Sequence, residues 1–192
     1  MEEVISKNKM IKEQPKKTLE LSNVQKYILF FFIYAFLGWL LETLYSFYSL
    51  GHFAKRGFLY GPLCPIYGYG ALILTIFLSN YRKNSIKLFF LSAIVFSVFE
   101  YIVSYALDAL FAKSWWDYTN EFMNLNGRIS IFYTFAWGII AILFINHIHP
   151  FLKKKVELIL SKIPYFIQTI IIRCMVAIFL ADTILSCIKY LI

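Results

Sequence analysis

The chain has 192 residues, of which 60% are hydrophobic, 20% aromatic and only 16% charged. That apolar load is greater than a soluble domain carries, so an integral membrane protein is expected. The net charge of +8 comes from lysines clustered beside apolar stretches, which is the pattern of membrane topology and argues against nucleic-acid binding.

Residues 1–26 are polar, carry Lys7, Lys9, Lys12, Lys16, Lys17 and Lys26, and read as a cytoplasmic tail ahead of a single transmembrane domain, 27–192. A cleaved signal peptide is disfavoured, because the apolar stretch that follows is too long and lacks a small-residue cleavage site. Five transmembrane helices are expected near 27–51, 62–79, 88–111, 129–148 and 165–188, giving an all-α polytopic membrane helix bundle. Segment 62–79 is short, and a partly re-entrant start fits it. Thirteen Lys and Arg residues lie in the tail, 80–87 and 149–163, against five at the other ends, which places the N-terminus in and the C-terminus out. Between Phe151 and Ile163 the apolar residues recur at near-helical spacing with Lys153, Lys154, Lys155 and Lys162 among them. This predicts an amphipathic helix in the headgroups or a docking element.

The least generic stretch is RGFLYGPLCPIYGYGA at 56–71, with four of the eight glycines and two of the five prolines. It reads as a tight turn feeding a helix, with Pro62 in the first turn. Arg56, Tyr60 and Tyr67 are its candidate ligand-binding or gating residues.

Ionisable groups inside apolar helices are the strongest functional signal, since a carboxylate at mid-membrane costs at least about 2.5 kcal/mol unless neutral, paired or hydrated. Glu42, Glu100, Asp108, Arg173 and Asp182 are such groups. Glu100, Ser104 and Asp108 repeat every four residues and line one helix face, with Tyr101 and Tyr105 beside it. That face is either a structural polar seam or the wall of a hydrated pocket for a cationic or hydroxyl-rich ligand. Matching depths predict an intramembrane pair of Arg173 with Glu100 or Glu42, whereas Asp182 projects from the opposite side of the Arg173 helix.

The outer loop holds Trp115, Trp116, Asp117 and Tyr118, then Asn124, Asn126, Gly127 and Arg128. An aromatic belt accounts for the tryptophans. The accompanying Trp116, Asp117, Asn126 and Arg128 are read as a gate or ligand mouth. Cys64, Cys174 and Cys187 form neither a disulfide framework nor a metal spacing and read as small apolar fillers. His147 and His149 read as interfacial. No nucleophile spacing stands out, so we expect no catalytic residue, metal or cofactor.

GWLLE (38–42), RGFLYGPLCPIYGYGA, the pair Glu100 and Tyr101, WWDY (115–118), NLNGRI (124–129) and the pair Trp137 and Gly138 together resemble a bacterial family. It is labelled Putative ABC-transporter type IV, or CmpB-like ABC-transporter permeases. The resemblance spans about 30–150 and leaves the last segment outside. It implies a multi-pass transporter subunit in the bacterial cell membrane. The sequence holds no G-x-x-x-x-G-K-[ST] loop, so any ATP hydrolysis is expected from a separate ATPase subunit. Membrane lipids, and a homodimer or hetero-oligomer, are the other expected partners.

The favoured function is therefore a permease-like subunit binding a small polar or lipid-derived ligand in an outward-facing pocket. A membrane-embedded enzyme acting on lipid headgroups through buried carboxylates, and a structural or regulatory membrane partner, are the alternatives.

Overall fold

Residues 20–192 are described by the computed structural model, and Lys7, Lys9, Lys12, Lys16 and Lys17 of the expected tail lie outside them. Helix α1 (Asn23–Leu50) begins before residue 27 because Ser22 and Gln25 cap it reciprocally. Ser22 Oγ accepts from the Gln25 amide at 3.3 Å, and Gln25 Oε1 accepts from the Ser22 amide at 2.9 Å.

Helix α2 (Pro65–Ile73) continues through a wide turn at Leu74–Leu78 and a tight one at Ser79–Tyr81. Pro65, not Pro62, opens it, since proline at the first helical position loses no intrahelical bond. The Thr75 hydroxyl donates to the Ala71 carbonyl at 2.9 Å and the Ser79 hydroxyl to the Thr75 carbonyl at 2.8 Å. Such back-bonding competes with the regular ladder where the helix widens.

Helix α3 (Ser85–Phe111) is capped by Asn84, whose side chain accepts from the Lys87 amide at 3.0 Å. A two-stranded hairpin, β1 (Asn124–Leu125) with β2 (Ile129–Ser130), precedes α4 (Ile131–Leu143). From α4 the chain passes through a wide turn, Phe144–Ile148, into α5 (His149–Leu160) without a break, and α6 (Tyr165–Leu191) follows.

Pro150 lies just beyond that wide turn. It has no N–H for the Asn146 carbonyl, and Arg82 supplies the missing donor: Nη2 reaches that carbonyl at 3.4 Å and Nε the Asn146 side chain at 3.2 Å. Residues 131–160 form one continuous helical column, so the amphipathic stretch continues α4 and does not start a separate helix. Leu152 and Val156 of α5 pack on the core, and Val156, Ile159 and Leu160 wall a small apolar cavity of about 210 Å³ with Leu29 and Ile172.

Among the described residues, four helical stretches are long and apolar enough to cross a membrane: Asn23–Leu50, Ser85–Phe111, Ile131–Leu160 and Tyr165–Leu191. Helix α2 is not among them. The Cys64 amide donates to the Ala35 carbonyl at 2.9 Å, and Ala35 lies about 22 Å below the Leu50 end at 1.5 Å per residue. The 51–64 loop thus turns back down beside α1 before α2 begins.

Close contact between α1 and α2 depends on absent side chains. A Cβ on Gly68 would stand 2.7 Å from the Phe31 carbonyl oxygen, and one on Gly38 would stand 2.3 Å from the Tyr67 ring. Small residues let two helices approach in this way. Below that crossing, Phe30, Tyr34, Leu74, Leu78, Leu88, Phe96, Phe144 and Ile145 form the apolar core, drawn from α1, α2, α3 and the α4–α5 column.

Candidate functional site

Above that core the bundle is closed by loops. Glu42 lies one turn beyond Gly38 on α1. Its Oε2 accepts from Arg56 Nε at 3.3 Å and Nη2 at 3.2 Å, and its Oε1 from the Tyr67 hydroxyl at 2.5 Å. The 51–64 loop carries Arg56 and the first turn of α2 carries Tyr67, so the downward path of the loop assembles this group. Glu42 and Arg56 keep 29% and 36% of their side-chain surface exposed, which leaves the pair reachable. On the same stretch of α1, Thr43 Oγ1 and Ser46 Oγ are buried without a partner among the described residues.

Glu100 on α3 is 6% exposed. Tyr118 donates to its Oε1 at 3.0 Å and Trp137 Nε1 to its Oε2 at 2.9 Å. Tyr118 stacks on Tyr133 with ring centroids 4.3 Å apart. Burial first, then the neighbouring Glu100, raise the Tyr118 phenol above its ordinary range. It therefore keeps its proton and acts as the donor.

The NLNGRI motif builds the hairpin turn. Asn126 (φ 55°) and Gly127 (φ 67°) are both left-handed, and the Arg128 amide donates to the Leu125 carbonyl at 3.0 Å. This is the Asn-Gly turn that favours tight hairpins. It delivers Arg128 inward, where Nη2 meets Asp108 at 2.7 Å and Nη1 meets Ser104 at 3.1 Å. The guanidinium also lies 5.5 Å from the Tyr105 ring centroid. Asn126 donates to the Tyr101 hydroxyl at 2.9 Å, and Trp116 Nε1 to the Arg128 carbonyl at 3.0 Å.

The sequence-predicted residues thus fall into three groups: Glu42 with Arg56 and Tyr67; Glu100; and Ser104 with Asp108, Arg128, Asn126 and Trp116. Two stand apart. Asp117 accepts from the Thr119 amide at 2.8 Å and from the Thr119 hydroxyl within its own exposed loop, and these bonds hold its carboxyl below the ordinary range. Tyr60 is 53% exposed at the end of the bundle.

The expected pair of Arg173 with Glu100 or Glu42 is not formed. Helix α6 turns Ile172 and Ser186 inward and leaves Arg173 exposed, while Glu42 and Glu100 bind Arg56, Tyr67, Tyr118 and Trp137. Depth along a helix had suggested the pair, and rotation about the helix axis prevents it. Asp182 of α6 has a role that the sequence did not reveal. Its two oxygens accept the Tyr60 and Gly61 amides at 2.8 Å each, and Ser186 donates to it at 3.2 Å. Backbone donors leave no sequence signature, whereas the aromatic partners Tyr118 and Trp137 stood inside motifs already singled out.

The family described as Putative ABC-transporter type IV matches residues 29–187. The chain belongs to that family. The match runs through most of α6, so the last helix is part of the family pattern and not an addition beyond residue 150. No curated protein and no solved structure matches the chain. Family membership and the four long apolar helices make this a multi-pass, transporter-like membrane protein.

Proposed function

We propose that this protein is a permease-like subunit of the bacterial cell membrane that receives a small polar or lipid-derived ligand, bearing hydroxyls or an ammonium group, in its outer half. One observation carries the reading. Glu42, Glu100, Asp108 and Asp182 each accept a hydrogen bond from an outer loop, through Arg56, Tyr118, Arg128 and the Tyr60 and Gly61 amides respectively. Carboxylates bound only by neighbouring helices would form a fixed seam. Carboxylates bound by loops are exchangeable, because loop donors can leave while the helix packing stays. A ligand supplying N–H or O–H donors then takes their place, and without one the loops return, since an unpaired buried carboxylate is costly.

Glu42 with Arg56 and Tyr67 forms the reachable outer part, and Glu100 with Tyr118 and Trp137 the deeper part. Ser104, Asp108, Asn126, Trp116 and Arg128 anchor the hairpin that closes over it. Any ATP hydrolysis that drives transport comes from a separate ATPase subunit, since the sequence carries no phosphate-binding loop.

Thermal melting of the protein in lipid nanodiscs tests this, with ethanolamine, choline, glycerol and a disaccharide as probes. At least one probe should raise the melting temperature of wild-type and Lys154→Gln protein, and the rise should vanish in Glu42→Gln or Glu100→Gln. Stabilisation indifferent to both glutamine variants contradicts the proposal.

A further inference from the structure

The ends of α1, α3 and α6 on the side of the 51–64 loop carry a second feature, which the Glu42 and Glu100 groups do not use. Lysine Nζ atoms gather there over aromatic faces. Lys55 lies 4.5 Å and Lys189 4.8 Å from the Tyr60 centroid, and Lys113 lies 4.9 Å from the Tyr190 centroid. The Phe58 ring packs on Phe111, Trp115 and Tyr190 and so fixes the loop against both helix ends.

These three lysines make no ion pair among the described residues. The nearby acid, Asp182, already has both oxygens occupied by the Tyr60 and Gly61 amides. Burial and the neighbouring Lys189 pull Lys55 below an ordinary lysine, with Asp182 opposing, as in a cluster whose positive charge is not balanced. The cluster also stands at the end of the bundle that the Lys and Arg distribution otherwise depletes. Beside it runs a shallow groove, open to the surface and lined by Tyr60, Lys189, Leu185, Ile188 and Ile192.

We propose that this groove binds an anionic phospholipid, its phosphate between Lys55 and Lys189 with Lys113 at the flank, and an acyl chain along Leu185, Ile188 and Ile192. An ammonium held over a ring keeps N–H groups free for phosphate oxygens. The aliphatic wall selects a lipid over free phosphate, which would cover the lysines and leave Leu185, Ile188 and Ile192 exposed. The groove is separate from the Glu42 and Glu100 groups, so either assignment can stand without the other.

Native mass spectrometry of protein released from phosphatidylcholine nanodiscs doped with phosphatidylglycerol reads the lipid retained. Wild-type protein should keep phosphatidylglycerol in preference to phosphatidylcholine. Lys55→Gln and Lys189→Gln should each lower that preference about fivefold, the effect of about 1 kcal/mol per lysine near a charged lipid surface. The control pair Lys83→Gln and Lys154→Gln should leave it unchanged. Glycerol 3-phosphate added in excess should not displace the lipid, and its displacement of the lipid would mean a site for free phosphate. Equal retention of both lipids, or equal loss in the control pair, overturns the proposal. A photoreactive phosphatidylglycerol cross-linked to wild-type protein gives a reading independent of variant folding. Adducts at Tyr60 and within 185–192 support the groove, and adducts only elsewhere reject it.

Discussion

The two halves of the bundle are held together by different physics. Around Gly38 and Gly68, and below them, helix packs on helix through close backbone approach and an apolar core from Phe30 to Ile145. Above them, loops join the helices: besides the packing of Phe58, the joints are hydrogen bonds from Arg56, Tyr118, Arg128 and two backbone amides to four carboxylates, of which Glu42 and Glu100 also accept from Tyr67 and Trp137 on helices. Packed cores resist displacement as units, whereas individual polar joints can be broken and remade. The lower half is thus a fixed base, and the upper half is where movement and ligand exchange are affordable.

Substitution in the base should have the largest effect. Gly68→Val places methyl groups against the Phe31 carbonyl, which cannot move without its helix. We expect a loss of about 3 kcal/mol or more, the upper end for overpacking, seen as loss of the folded peak in fluorescence-detected size exclusion. In the upper half, Glu100→Leu leaves the Tyr118 hydroxyl and the Trp137 N–H without their acceptor and should cost about 2 kcal/mol in thermal melting. Glu100→Gln, which keeps an acceptor oxygen, should cost clearly less.

Smaller still is the part-buried pair of Arg128 and Asp108. A double-mutant cycle with Arg128→Gln and Asp108→Asn should give a coupling of about 0.5–1 kcal/mol. The same cycle on Arg173 and Glu100 should give additive effects, because those side chains do not meet. The smallest effect belongs to Asp117. Its folded carboxyl titrates below the ordinary value, so its bonds to Thr119 are present above the unfolded pKa and are lost as pH falls through the lower, folded one. Exchange of the Thr119 amide should therefore stay protected to a more acidic pH than a free aspartate would allow, and Asp117→Asn should abolish that pH dependence.

Most of the fold was legible because bilayer solvent imposes a simple rule on composition and length. The α3 and α6 segments emerged within a few residues, and α1 began early only through the Ser22 and Gln25 cap. Residues 51–64 were harder to place: their glycines and prolines specify a turn but say nothing of its depth, which the Cys64 bond to Ala35 sets. The fate of the charges was legible only in part. Spacing put Glu100, Ser104 and Asp108 on one face, and the Asn-Gly turn marked where Arg128 would turn. Which partner each acid takes depends on helix rotation and on backbone amides, and neither has a residue code. Arg173 and Asp182 are the two places where that gap decided the outcome.

Hydrogen exchange on the protein in lipid nanodiscs tests the division into a fixed base and a movable top most directly. Amides of 53–63 and 115–128 should open at lower free energy than those of 65–78 and 88–99, and Glu100→Gln should lower protection in 115–121 while leaving 65–78 unchanged. If all four segments open together as one cooperative unit, in wild type and variant alike, the loops are part of the base and the account is wrong.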